Sequence, residues 1–103
     1  MRGMQDMLRQ AQMMQKKLAS MQEELKTREV EASSGGNMVT VRVNGSNEIL
    51  ALTIDKSVVE AGDVEMLQDL VLTAVNDALK KAKAMSDEEM AKITGGIKIP
   101  GMF

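Results

Sequence analysis

From Met4 onward the apolar residues of the chain fall at Met4, Met7, Ala11, Met14, Leu18, Met21 and Leu25, at spacings that alternate three and four. That is the a/d pattern of a coiled-coil seam, and it predicts one long helix over residues 1–27. Gln5, Gln10, Gln12, Gln15 and Gln22 fill polar positions with good helix formers. At 1.5 Å per residue the helix from Met4 to Lys26 is about 35 Å long, whereas short strands of about 20 Å cannot cover it. Part of the seam therefore overhangs the rest of the fold. A second copy of the same helix is the simplest cover, so the seven seam residues are read as the surface joining two copies.

The period then changes to two over residues 28–55. Val30 and Ala32 alternate with Glu29, Glu31 and Ser33, and the run Ser33-Ser34-Gly35-Gly36-Asn37 forms a turn. Val39, Val41 and Val43 alternate with Met38, Thr40 and Arg42, giving a half-buried strand with one apolar face. Asn44-Gly45 is a strong hairpin signal. The strand after it, about Glu48 to Ile54, carries Leu50, Leu52 and Ile54 on one face and Ile49 and Ala51 on the other. The expected sheet is a three-stranded antiparallel meander.

A connector through Val58, Val59 and Ala61-Gly62 leads to Asp63, a helix N-cap, and a second long helix is predicted over 63–85. Lys80, Lys81 and Lys83 sit near its end, where positive charge complements the helix dipole. Ser86-Asp87-Glu88-Glu89 suggests one further short turn, and Gly95-Gly96 with Pro100-Gly101 suggests a flexible tail over 95–103. The fold class is α+β, in a single domain spanning 1–103.

Composition narrows the chemistry. The chain of 103 residues has 11 Met, a single aromatic residue, Phe103, and neither Cys nor His. That removes disulfide scaffolds, thiol nucleophiles, His bases and the usual zinc sites. Gly35-Gly36 lacks the Gly-Lys-Ser/Thr that a phosphate loop requires. Asp69 and Asp77 fall two helical turns apart, about 12 Å, too far to act together on one bond. No metal, cofactor, small-molecule substrate or enzymatic activity is expected. About 18 consecutive apolar residues are needed for a membrane span, and no such run occurs. A Met-rich helix without Trp or Phe is also a poor interfacial anchor. A soluble cytoplasmic protein is the expectation.

Charge is distributed unevenly, although the total is only −2. Residues 1–22 carry +3 from Arg2, Arg9, Lys16 and Lys17 against Asp6, residues 23–79 carry −7, and residues 80–103 carry +2. With Met4, Ala11, Leu18 and Leu25 as a positions, Arg2, Arg9 and Lys16 all occupy f, the position farthest from the seam, with Lys17 beside them. A row of cations one heptad apart can track phosphates. It also serves the solubility of any coiled coil.

The segments Arg2-Gly3-Met4, Gln10-Ala11-Gln12-Met13-Met14-Gln15-Lys16-Lys17, Val39-Thr40-Val41-Arg42-Val43-Asn44-Gly45, Met66-Leu67-Gln68-Asp69-Leu70 and Asn76-Asp77-Ala78, closing on Pro100-Gly101-Met102-Phe103, resemble the YbaB/EbfC family of bacterial nucleoid-associated proteins, over nearly the whole chain and in order. Lys56 departs from the family's frequent proline after Asp55. The resemblance implies an α+β homodimer with projecting, tweezer-like helices that binds duplex DNA and organises the nucleoid or regulates genes. It supplies no contact residues. Arg2, Arg9, Lys16 and Lys17 are the physical candidates for phosphate contact, with Arg42, Lys80, Lys81 and Lys83 as secondary ones. The competing expectation is a coiled-coil protein-interaction module whose Met-rich helices hold another protein.

Overall fold

The computed structural model describes residues 2–94, and the side chain of Arg2 is not among what it describes. The expected tail, 95–103, lies outside the described residues. The chain forms helix α1 (Arg2–Thr27), strands β1 (Glu29–Ser34), β2 (Val39–Asn44) and β3 (Ile49–Ile54), a short helix α2 (Lys56–Glu60) and helix α3 (Val64–Thr94). The strands form an antiparallel sheet in the order β1-β2-β3.

The core follows from strand alternation. Val39, Val41 and Val43 are fully buried on one face of β2, and Ser34, Ala32 and Val30 pair with them across β1 on the same face. Against that face lies a stripe of Ala74, Ala78 and Ala82, each fully buried. Alanine at every fourth position removes side-chain bulk from one line of α3, so the helix axis sits close to the valines. Ser34 Oγ donates to the Leu70 carbonyl at 2.6 Å, tying the end of β1 to α3. The opposite face of the sheet is polar: Arg42 pairs with Glu29 at 2.9 Å, and the Ser33 and Thr40 hydroxyls meet at 3.1 Å.

α3 covers β1 and β2 and leaves β3 outside. Leu52 pairs directly with the buried Val41, yet 48% of it is exposed. The expected facing of β3 also needs correction at its start. Arg42 pairs with Ala51 but Val43 pairs with Ile49, so Leu50 is an inserted bulge residue and Ile49 moves to the face of Leu52 and Ile54. One extra residue reverses the alternation N-terminal to it.

Two helical boundaries differ from expectation. The connector contains α2, whose N-cap Asp55 accepts from the Ser57 backbone N–H at 2.9 Å and the Ser57 hydroxyl at 2.7 Å, while Val58 is buried. The second helix, expected to end near residue 85, continues to Thr94 for a length of 31 residues. Asp63 caps its start through a 3.0 Å bond from the Met66 N–H. It passes through Ser86-Asp87-Glu88-Glu89 because Met85, Met90 and Ile93 continue its apolar face and pack on α1. Burial there outweighs the capping preference of Ser86.

Candidate nucleic-acid interface

α1 does not lie on the sheet. Leu18, Met21 and Leu25 pack against Met85, Met90 and Ile93 of α3, with Met21, Leu25 and Met85 buried. Leu25 lies near Ser86, whereas Gln10, Met13 and Met14 border Ile93, so the helices run antiparallel. Together they form an arm leaving the α/β body, and the molecule is 72 Å long by 23 and 16 Å across.

The base of the arm is held by the β2–β3 turn. Asn44 is buried; its Oδ1 accepts from the backbone N–H of Ser46 (2.9 Å) and Glu48 (3.0 Å), and its Nδ2 donates to the Lys26 carbonyl (3.2 Å) and Glu48 Oε1 (3.1 Å). The Gly45 N–H donates to the carbonyls of Leu25 (2.8 Å) and Arg28 (3.0 Å). The Asn-Gly pair read as a hairpin signal thus also fastens the last turn of α1, whose carbonyls would otherwise lack intrahelical partners.

A second fastening is ionic. Arg28, just after α1, reaches Glu89 of α3 at 2.8 Å, and Lys92 reaches the same oxygen at 3.1 Å. The Glu89 side chain is only 19% exposed. Hydrogen bonds from Lys92 and then Arg28 hold its carboxyl below the ordinary glutamate range, outweighing the opposing effect of burial. Sequence reading missed this cluster. Lys92 three residues after Glu89 is visible in the chain, but Arg28 is 61 residues away and only the antiparallel docking brings it there.

The fold sorts the candidate cations. Arg9, Lys16 and Lys17 are exposed on α1, and among the described residues no carboxylate lies within 4 Å of them. Arg9 and Lys16 lie on nearly the same side of α1, because seven residues bring a helix back to that side, and Lys16 stands at the rim of the groove between the helices. Arg2 begins the same helix. Lys17 borders an open groove of about 300 Å³ between the helices, with Lys16, Ser20, Glu24 and Glu89. The secondary candidates are elsewhere. Arg42 is on the sheet and paired with Glu29. Lys83 pairs with Asp87 at 3.7 Å, Lys81 donates to the Glu31 carbonyl at 2.8 Å, and Lys80 is exposed on α3.

The seam residues divide as well. Leu18, Met21 and Leu25 are engaged with α3 of their own chain, and Met14 is half-buried beside Ile93. Met4 and Met7 remain 65% and 70% exposed, and Ala11 is exposed. The described residues contain no group of three or more acidic side chains placed to hold a metal ion, and none of their helices is long and apolar enough to cross a membrane.

Comparison with known proteins agrees with this architecture. A protein from Syntrophobacter fumaroxidans named nucleoid-associated protein is 52% identical over 95 residues, covering 92% of this chain and 86% of that protein. One of the same name from Alkaliphilus metalliredigens is 48% identical over 101 residues, covering 98% and 89%. The crystal structure of an uncharacterized protein from Helicobacter pylori superposes with a TM-score of 0.75 at 30% identity, covering 82% of this chain and 89% of that one. The model of the YbaB/EbfC DNA-binding family matches residues 1–97, and the chain belongs to that family.

Proposed function

We propose that this chain is a homodimeric nucleoid-associated protein of the bacterial cytoplasm that binds duplex DNA through the cations of its arms and thereby organises the nucleoid or modulates gene expression. The observation that carries this reading is the sorting of cations. Arg9, Lys16 and Lys17 stand together on the arm free of carboxylate partners among the described residues, while Lys26, Arg28, Arg42, Lys83 and Lys92 are paired, and Lys56, Lys80 and Lys81, also without a carboxylate, are spread over the body. Arg9 and Lys16 are about 10 Å apart along the helix axis, a spacing over which neighbouring phosphates of a duplex can be met. Such contacts position a protein without reading sequence. The described residues include no aromatic side chain to wedge between bases, and a reading built on phosphate contacts carries weak sequence preference.

Dimerisation is supported by the uncovered part of the sheet. Ile49, Leu50 and Leu52 are each about half exposed on an edge strand with no described neighbour on its outer side. The adjoining flank of α3 is apolar, with half-buried Val71, Val75 and Leu79. An exposed apolar edge strand is a surface that proteins ordinarily cover. A second copy covering it leaves both arms projecting and presents two cationic rows.

The test is a duplex titration at rising ionic strength, on protein whose mass in solution has been measured. Affinity falls steeply with salt, and the double change Arg9→Glu, Lys16→Glu abolishes binding while mass and helicity persist. Undiminished binding by that variant removes the assignment of the arm. Absence of binding to any duplex at low salt favours the protein-interaction reading.

A further inference from the structure

We infer that the free end of α1 is a second self-association surface, through which dimers join one another end to end. The inference rests on the homodimer reading above. The seam of α1 is continuous from Met4 to Leu25, and its lower half already packs on an antiparallel helix, α3. The described part of α3 ends at Thr94, close to Gln10, Met13 and Met14. From Gln10 to Arg2, α1 continues for about 12 Å with the same stripe of side chains. Met4, Met7 and Leu8 are 65%, 70% and 62% exposed there, and Ala11 is exposed beside them.

The occupant that fits is another copy of this helix. In the heptad frame the positions flanking the free seam are Gly3, Leu8, Gln10 and Gln15, all uncharged. Flanking charges are what normally select a different partner or repel an identical one. Here no charge at a flanking position opposes two identical seams, the cations of the segment lying at outer positions. Crossed antiparallel about Met7 and Leu8, they place Met4 of each copy over Ala11 of the other, large against small. Arg9 and Lys16 face away from this contact and stay available to phosphate. With Met4, Met7 and Leu8 as its only large exposed apolar side chains, the contact is smaller than the roughly 1,200 Å² or more of a stable interface. Such a contact is weak in free solution and gains weight when DNA concentrates the dimers. Each dimer carries two arm tips, so a dimer joined through one tip keeps the other for a further dimer.

The experiment is sedimentation velocity of the full chain over a concentration series, alone and on a duplex long enough for several dimers. The expected result is a mass of two copies at low concentration that rises toward four and beyond, with the rise shifted at least tenfold lower in concentration by the long duplex. Met4→Gln with Met7→Gln, both exposed positions that accept a good helix former, removes the rise while the two-copy mass, the helicity and the affinity for a duplex holding one dimer are retained. A mass fixed at two copies under all conditions overturns the inference, as does a rise that the double variant does not change. If the double variant falls to single copies, the seam is the dimer contact itself and the linkage between dimers is wrong. If larger species form only after residues 95–103 are removed, that segment covers the face and the inference is likewise wrong. Loss of DNA binding with the mass behaviour intact would count against the proposed function alone.

Discussion

The backbone N–H of Gly45 donates to the Leu25 carbonyl at 2.8 Å, and a β-carbon on Gly45 would stand 2.6 Å from that same oxygen and 2.7 Å from the Leu25 β-carbon. Glycine is needed here for close approach, since its φ is not among the positive ones. The consequence is mechanical. The hairpin tip sits directly under the last turn of α1 and sets the direction in which the arm leaves the body.

Gly45→Ala therefore forces α1 and the turn apart. Overpacking of this kind costs about 1–3 kcal/mol, read as a lower denaturation midpoint in urea. A midpoint equal to that of the parent chain would show that the arm can yield without loss. Gly3→Ala is the control: nothing lies within 4 Å of that position and its backbone is helical.

Asn44→Ala removes the partner of the Ser46 and Glu48 N–H groups and of the Lys26 carbonyl at a buried site. Loss of buried hydrogen bonds without replacement costs about 1–3 kcal/mol per unsatisfied group. The expected readout is destabilisation together with faster amide hydrogen exchange at residues 46 and 48. Protection at those two amides equal to the parent would contradict the assigned bonds.

Glu89 makes the arm sensitive to acid. Its folded pKa lies below the ordinary glutamate value because Lys92 and Arg28 donate to it. Its contribution to stability is therefore fully present above the unfolded pKa and is lost as pH falls through the lowered folded one. Glu89→Gln should lower the melting temperature at pH 7, and the difference should shrink at acid pH as the native carboxylate takes up its proton. A difference between the two proteins that is the same at both pH values would show that the pairing with Arg28 and Lys92 is immaterial.

DNA affinity separates free cations from paired ones. Arg9→Gln or Lys16→Gln should each reduce the slope of log affinity against log salt by about one, as expected for one lost phosphate contact. Arg42→Gln should leave that slope unchanged, since Arg42 lies on the sheet and is paired with Glu29. Equal effects from all three would mean that the body of the protein touches DNA as much as the arm does.

Much of this architecture was legible from periodicity alone. The three-four spacing from Met4 to Leu25 marked α1, and Val39, Val41 and Val43 marked the one strand that is buried throughout one face. What escaped depended on partners distant in sequence. Ser86-Asp87-Glu88-Glu89 has the composition of a helix boundary, and only the docking of Met21 and Leu25 on Met85 explains why the helix continues. The Leu50 bulge has no local signature either, so the sides of Ile49 and Leu50 were assigned by uninterrupted alternation. Among the cations, the heptad frame identified the outward row of Arg9 and Lys16. It carried no information on Arg42, Lys81 and Lys83, whose acceptors lie on β1 or one turn along α3.

The length of α3 separates two ends of opposite charge. Asp63, Glu65 and Asp69 gather at its beginning, about 45 Å along the axis from Thr94, and the free cations of α1 stand at the other end. The molecule is 72 Å long, with this acidic group at one end of α3 and the unpaired cations of α1 on the arm. On the reading proposed above, this separation would turn the acidic end outward and the arm inward near a polyanion before any contact forms. Screening confines this to about 10 Å at 0.1 M salt, so the alignment acts in the last step of approach. On that reading the placing of the charges counts for more than their near-neutral sum.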